Sequence, residues 1–347
     1  MLPAGDTSAL PVTPKGQAMS HRFDRTRRLA LQLTMAALVP LAGVGTSFAA
    51  EPFPKRPVKI IVQTAAGSSI DVAARILAEN LSRKWGQQAF VFNQPGAGGA
   101  VAARALASAP ADGETLLLAA SSIFVALPLL QPAQAASIDA FVPVAFLGEQ
   151  PMAVALGADQ PAKTLRELLD SIRATKGGLN CAVSTRGGLS HLSAESFKAA
   201  AGVDMNFIHY PGTAQALSDV IGGRVPVVVD SLSAFVGPAA GKQIRILAVA
   251  SGERLKKMPE IPTAAETLPG FEATAWLALV APPGTPAEIS QKIGRDVDAI
   301  LADAAFVTRL EEVGTFARPI KAADLPTFIK AQREKWLPVV QKYGVAQ

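Results

Sequence analysis

The stretch VKIIVQTAAGSSID at residues 58–71 predicts a strand, a loop of small residues and the first turn of a helix. Residues 58–63 are mostly apolar, as in a buried strand, and the residues after 71 carry apolar side chains at helical spacing. Where a strand leads into a helix N-terminus, unpaired N–H groups and the helix dipole favour an anion such as a carboxylate. The alternative is an ordinary tight connection in which Ser68, Ser69 or Asp71 caps the helix.

The same unit of strand, loop and helix recurs along the chain. Further apolar runs of strand type lie at residues 89–92, 115–119, 152–156, 179–183, 205–209, 225–230, 244–250 and 276–281, and helical patterns at residues 286–302 and 323–343 close the chain. This alternation is typical of βαβ units and a mostly parallel sheet, so we predict the α/β class. Two similar halves without a linker indicate two domains packed around a cleft.

Residues 22–50 have the features of a secretory signal. Four arginines (Arg22, Arg25, Arg27 and Arg28) precede an apolar stretch at residues 29–44 and a small-residue site at Ser47-Phe48-Ala49. We expect cleavage after Ala49 and a soluble protein in the periplasm of a Gram-negative cell. The apolar stretch is short and interrupted for a membrane span, although an anchor is the alternative. The sequence does not decide between the general and the twin-arginine export route, or between Met1 and Met19 as the first residue.

Composition excludes several classes of protein. The chain has 33 Lys+Arg against 28 Asp+Glu, a net charge of +5. Residues 1–50 hold five basic and two acidic residues, so the net charge without them is about +2, and no basic run remains to bind nucleic acid. Cys181 is the only cysteine, which excludes an intramolecular disulfide and a cysteine metal cluster. Three histidines are too few for a histidine-based metal site. We expect no metal and no cofactor.

Two further loops precede helices. Gly96-Ala97-Gly98-Gly99 meets neither the P-loop nor the dinucleotide pattern, so we predict close helix–strand packing there. The segment from Ser184 to His191 offers hydroxyls and backbone donors but no Gly-x-Ser-x-Gly elbow, and a serine adjacent to its base cannot normally align with it. His191 either braces this loop or contacts a ligand.

Three other residues carry open alternatives. Asp230 ends an apolar strand, where its carboxylate could bind a ligand amine or hold a loop. Tyr210 and Trp276 could line a cleft or belong to the core, and for Trp276 we favour the core.

An ordered series of short motifs runs from residue 54 to the C-terminus. It includes Pro54-x-x-Pro57-Val58-Lys59-Ile60-Ile61-Val62, Asn93-Gln94-Pro95-Gly96-Ala97-Gly98-Gly99, Pro110-Ala111-Asp112-Gly113-x-Thr115-Leu116-Leu117, Ser190-His191-Leu192, Gly222-Gly223-Arg224-Val225 and Ala281-Pro282-x-Gly284-Thr285-Pro286. Each motif is weak alone, but the series resembles the Bug family, the TctC-like periplasmic receptors of tripartite tricarboxylate transporters.

The resemblance implies a two-domain periplasmic binding protein of type II, a venus flytrap with two chain crossovers near Pro151 and Trp276. We expect a leader at residues 1–49, a discontinuous first domain at residues 50–151 and 277–347, and a second domain at residues 152–276. The implied ligand is a small carboxylate (a dicarboxylate, an amino acid or an aromatic acid) held in the interdomain cleft by backbone groups and water. The implied partners are membrane permease subunits or a sensor kinase, with the receptor itself a monomer.

The resemblance also implies a set of ligand-binding residues. They are Ala66, Gly67, Ser68, Ser69, Asp71, Ser121, Ser122, Gly187, Gly188, Ser190, His191, Tyr210 and Asp230. The chain departs from the family pattern at Thr64-Ala65-Ala66-Gly67-Ser68, which replaces aromatic-x-Pro-Gly-Gly, at Gly187-Gly188, which replaces Gly-Ser, and at Pro211, which replaces a lysine. The alternative functions are an exported α/β hydrolase-like enzyme and a scaffold that has lost ligand binding.

Overall fold

The computed structural model describes residues 53–184 and 188–343. The predicted leader and its cleavage site lie outside these residues, and so does Gly187. The strands are β1 Val58–Val62, β2 Ala89–Asn93, β3 Thr115–Ala120, β4 Val142–Gly157, β5 Leu179–Ser184, β6 Met205–Tyr210, β7 Val227–Ser231, β8 Ile244–Val249 and β9 Thr274–Ala281. The helices are α1 Ser69–Trp85, α2 Ala100–Ala107, α3 Ser121–Val125, α4 Leu127–Leu130, α5 Ala135–Asp139, α6 Leu165–Ala174, α7 Leu189–Ala201, α8 Thr213–Ile221, α9 Val236–Ala240, α10 Ala287–Leu301, α11 Ala304–Glu312 and α12 Leu325–Tyr343. Within the described ranges, no helix has the length and apolarity needed to cross a membrane.

The first strand–loop–helix unit forms where the sequence predicts it. The β1 strand is almost entirely buried. The α1 helix begins after Ser68, whose hydroxyl accepts a hydrogen bond from the Asp71 N–H at 3.2 Å, as expected of an N-cap. It ends at Gly86, which adopts the left-handed conformation (φ 63°) and donates its N–H to the Ser82 carbonyl. Local sequence therefore fixes both ends of this helix.

The strands follow the order β2-β1-β3-β9-β4-β7-β5-β6, with β8 also paired to β4. The β1, β2 and β3 strands pair in parallel, as do β5, β6 and β7. The β4 and β9 strands run antiparallel to their neighbours, so the sheet is mixed. Helices cover the parallel strands, which explains their continuous apolar sequences.

The β4 strand connects the two groups of parallel strands. From Val142 to Pro151 it pairs with β9, and from Met152 to Gly157 it pairs with β7 and β8. The prediction that this strand begins at Met152 is wrong, because the preceding ten residues are strand as well. The α11 helix was also not predicted. The boundaries proposed for the two domains stay a prediction, although the pairing of β4 changes at the expected Pro151.

Trp276 lies on β9 beside this change of partner and belongs to the core, as predicted. Its side chain is 1% exposed. Its ring stacks on Phe124 at 5.4 Å between centroids and contacts Phe146 and Phe328 at 6.2 and 5.2 Å. Phe328 belongs to α12, which also packs against α3 and α7. The C-terminal helix therefore contacts both groups of strands through their helices.

Candidate ligand-binding cavity

A cavity of about 430 Å³ lies among the loops that follow β1, β2, β3, β5 and β7. Binding at the carboxyl ends of strands is the general rule for open α/β sheets, because the following helices present their N-termini there. The cavity has polar walls of hydroxyl, amide and glycine residues and an apolar wall that includes Leu127, Leu130 and Met152. Its volume suits a small organic molecule.

The first loop contributes Ser69 and Ile70 to the cavity wall. The N–H groups of these residues open α1 and have no intrahelical acceptor, since the first such acceptor serves Val72. Ala66, Gly67 and Ser68, which the resemblance implied as ligand-binding, lie outside the lining. The first loop therefore offers backbone donors from the helix start.

Asp71 holds this loop in place instead of lining the cavity. Its carboxylate accepts hydrogen bonds from the Gly67 N–H at 2.9 Å, from Asn93 Nδ2 at 2.9 Å and from the Arg75 guanidinium at 2.9 and 3.0 Å. Burial alone would raise the pKa of Asp71, but the donors from Arg75, Gly67 and Asn93 together lower it below its ordinary value. The ionised carboxylate thus fixes the loop that precedes Ser69.

Replacing Asp71 with asparagine is expected to lower the free energy of unfolding at neutral pH by about 1–2 kcal/mol, because charge-assisted hydrogen bonds are lost and the half-exposed Arg75 is screened by water. A lowered pKa in the folded state contributes stability above the ordinary pKa of 3.8, and that stability is lost as the pH falls through the folded value. Urea titrations of both proteins should therefore differ near neutral pH and converge in acid. Asp170→Asn, at an exposed pair with Arg173, serves as the control. A deficit that persists unchanged in acid would contradict this role.

The segment Gly96, Ala97, Gly98 and Gly99 also lines the cavity, which the sequence interpretation missed. The backbone at Gly99 has a φ of 102°, and a Cβ atom there would lie 2.9 Å from Ile123 Cγ1 and 3.3 Å from Gln63 Nε2. Only glycine fits this close approach. The segment therefore packs closely, as predicted, and the same residues also form part of the cavity wall. The signal that could have found them is the recurrence of the strand–loop–helix unit.

Gln63 connects two loops at the cavity. Its Nε2 donates to Ser122 Oγ at 2.9 Å, and its Oε1 accepts from the Ala120 N–H at 2.9 Å. Ser121 and Ser122, both predicted site residues, line the cavity beside it. Gln150, on β4, also lines the cavity, and its Nε2 donates a hydrogen bond to Thr315 Oγ1 at 2.9 Å. Neither glutamine was predicted.

The ends of β5 and β7 and the start of α7 form another part of the wall. The lining residues there are Ser184, Gly188, Leu189, Ser190, Asp230 and Ser231. Ser190 Oγ donates to the Val229 carbonyl at 2.6 Å and accepts from the Ser184 N–H at 3.0 Å. Through these two bonds the Ser190 hydroxyl holds β5, α7 and β7 together.

Asp230 is the buried carboxylate of this wall, with 4% of the residue exposed. Its Oδ1 accepts from the Ser231 N–H at 2.7 Å and its Oδ2 from Thr213 Oγ1 at 3.0 Å. Burial raises the pKa of Asp230, and the hydrogen bonds from Ser231, Ser184, Thr213 and Ser190 oppose that rise.

His191 and Tyr210 do not line the cavity. His191 is buried, with its ring 4.6 Å from that of His209 and its Nε2 3.5 Å from Glu195 Oε1. The Tyr210 hydroxyl donates a hydrogen bond to Asp219 Oδ2 at 2.7 Å. Burial, as the larger cause, and this hydrogen bond together raise the pKa of Tyr210 to about 12. The contacts of His191 are with β6 and with its own helix, and whether it braces the loop or contacts a ligand stays a prediction. Across the described part of the chain, no three His, Cys, Asp or Glu residues are grouped to hold a metal ion.

A family model described as "Tripartite tricarboxylate transporter family receptor" matches residues 73–345. The chain belongs to this family of receptors. Among curated relatives, protein BugT of Bordetella pertussis is 32% identical over 327 residues, covering 93% of this chain and 99% of that protein. The resemblance to the Bug family is therefore confirmed.

Two solved structures that are similar to this receptor contain small dicarboxylates. Rpa4515 of R. palustris, solved with adipate, has a TM-score of 0.77 and 30% identity and covers 85% of this chain and 99% of that one. MatC from Rhodopseudomonas palustris, solved with bound malate, has a TM-score of 0.71 and 31% identity and covers 83% of this chain and 100% of that one. These similarities confirm the predicted fold, α/β and of the two-domain periplasmic binding-protein type.

Proposed function

We propose that this receptor captures a small organic carboxylate in the cavity, outside the cytoplasm, and presents it to the permease of a tripartite tricarboxylate transporter or to a sensor kinase. The observation that carries the proposal is the wall formed by the first turn of α1, where the Ser69 and Ile70 N–H groups have no intrahelical acceptor. The adipate and malate found in related structures have the charge that such donors bind.

A carboxylate can be held here without a basic side chain. Backbone N–H groups at a helix start combine with the dipole of α1, a helix of 17 residues, to stabilise negative charge. Hydroxyls of Ser69, Ser121 and Ser122 add neutral donors along the wall. Ordered water can complete such a site with nearly the enthalpy of a direct hydrogen bond.

Capture would work through a change between open and closed forms. The proposed domains, residues 50–151 with 277–347 and residues 152–276, are joined through β4 and β9, where β4 changes its pairing at Pro151. A ligand that contacts Ser69 on one side and Ser190 on the other would bind the closed form more tightly and shift the equilibrium towards it. No catalytic residue is needed for this function, and the protein would act as a monomer.

A thermal-shift screen tests the proposal. The purified protein, unfolded and refolded to remove carried-over ligand, is heated with mono-, di- and tricarboxylates, amino acids and aromatic acids. A ligand at about a hundred times its dissociation constant stabilises the folded state by roughly 2.7 kcal/mol, which gives a clear rise in melting temperature. A selective rise, confirmed by one-to-one binding in calorimetry, is the expected result. A flat response across the whole panel would overturn the proposal and favour the scaffold alternative.

A further inference from the structure

Asp230 differs from every other described residue of the cavity wall, because it alone carries an ionisable side chain. The other lining residues have hydroxyl, amide, aliphatic or glycine character, and no described lysine, arginine or histidine is among them. The residue is 4% exposed, so water provides little compensation for its charge.

The hydrogen bonds to Asp230 come from neutral groups. The Ser231 N–H and the Thr213 hydroxyl each donate to a different carboxylate oxygen. The side chains of Ser184 and Ser190 also hydrogen-bond to Asp230 and, like the other two donors, are uncharged. Neutral donors hold the carboxylate in position, and a positive charge would still gain a strong interaction there.

A buried carboxylate with no lysine, arginine or histidine among the described wall residues constrains what can occupy the cavity. A ligand with negative charge at both ends would place like charges close together in a site of low dielectric constant. A ligand ammonium group next to Asp230 would neutralise the charge and donate charge-assisted hydrogen bonds to the carboxylate oxygens. The donors at the start of α1 meanwhile suit a carboxylate.

We propose that Asp230 determines ligand specificity, and that the ligand is an amino carboxylate whose ammonium group binds Asp230. The proposal rests on the proposed function, since it assumes that the cavity binds a carboxylate. It names the class of ligand, a zwitterion or an amino acid with one further carboxylate, in place of a simple dicarboxylate.

Calorimetry with pairs of compounds that differ only by the amine tests the proposal: glutamate against glutarate, and 4-aminobutyrate against butyrate. The wild-type protein should bind the amino member of at least one pair about tenfold more tightly, a difference of about 1.4 kcal/mol. Asp230→Asn keeps the shape and one acceptor oxygen, and should abolish this preference. Asp170→Asn, at an exposed side chain outside the cavity, should leave it unchanged.

The outcomes separate this proposal from the proposed function. If glutarate or butyrate binds as tightly as its amino partner, the amine role is wrong and the receptor function stands. If no compound of the wider panel binds, the receptor function itself fails.

Arg186 lies outside the described residues, so Arg186→Gln is included. A loss of the amine preference in that variant, with the preference intact in Asp230→Asn, would overturn the assignment to Asp230. If a variant does not fold, the wild-type comparison still tests the amine preference, and its absence overturns the proposal.

Discussion

Replacing Trp276 with alanine is expected to lower the free energy of unfolding by about 3–5 kcal/mol, the range found when a buried tryptophan or phenylalanine is removed. The ring is 1% exposed and packs against Phe124, Phe146 and Phe328, which come from α3, β4 and α12. The resulting cavity cannot collapse easily, because the three phenylalanines are held by different elements. Urea unfolding followed by circular dichroism measures the effect.

Trp276→Phe is the matched control. The Trp276 Nε1 has no hydrogen-bond partner among the described residues, so phenylalanine removes ring volume without breaking a polar contact. We expect a loss of about 1 kcal/mol, well below that of alanine, as for other size reductions that keep an apolar ring. Equal losses for phenylalanine and alanine would show that the packing of Trp276 against its three neighbours is not what stabilises this region.

Replacing Gly314 with alanine is the second large effect, with an expected loss of about 2–5 kcal/mol from left-handed backbone strain and overpacking together. Gly314 has a φ of 74°, and a Cβ atom there would lie 2.4 Å from Ser233 Cβ and 2.6 Å from Ser233 Cα. Relief requires movement of the turn after β7, which follows Asp230 and Ser231 in the cavity wall. We therefore expect weaker ligand binding as well as lower stability.

Gly270 separates the two causes. It has a similar φ of 82°, but a Cβ atom there would meet nothing within 4 Å. Gly270→Ala should therefore cost only the conformational strain, about 1–2 kcal/mol, and should leave ligand affinity unchanged. Denaturant unfolding and calorimetry on both variants make the comparison. A loss in Gly314→Ala no greater than in Gly270→Ala would contradict the predicted contact with Ser233.

Local sequence was sufficient to predict the elements whose boundaries are set by residues within the element or next to it. The β1 strand and the start of the α1 helix follow the pattern of residues 58–71. The spacing of the apolar residues, the N-cap residue and the C-terminal glycine each determine the structure only of residues close to them in sequence. The first half of β4 was missed because Pro143, Gly148 and Pro151 interrupt it, and prolines normally exclude an interior strand position. Its pairing with β9, more than a hundred residues away in sequence, is what forms it.

The cavity could be predicted only in part. Ser69, Ser121, Ser122, Gly188, Ser190 and Asp230 lie in its wall as expected, though whether they contact a ligand stays a prediction. Gln63 and Gln150 belong to no motif, and their positions depend on distant partners such as Thr315, 165 residues from Gln150. The family pattern implied Asp71 and Tyr210 as ligand-binding residues. In the structure the Asp71 carboxylate is hydrogen-bonded to Arg75, and the Tyr210 hydroxyl is hydrogen-bonded to Asp219.

The most direct test of the whole account is a crystal structure of the protein with the ligand selected by the screen. The account predicts one molecule in the cavity, with a carboxylate oxygen about 2.7–3.2 Å from the N–H of Ser69 or Ile70. The groove between α5 and α12, which Phe141 and Ile329 help to line, should be free of ligand. A ligand bound in that groove, or one in the cavity with no oxygen near the start of α1, would contradict the account.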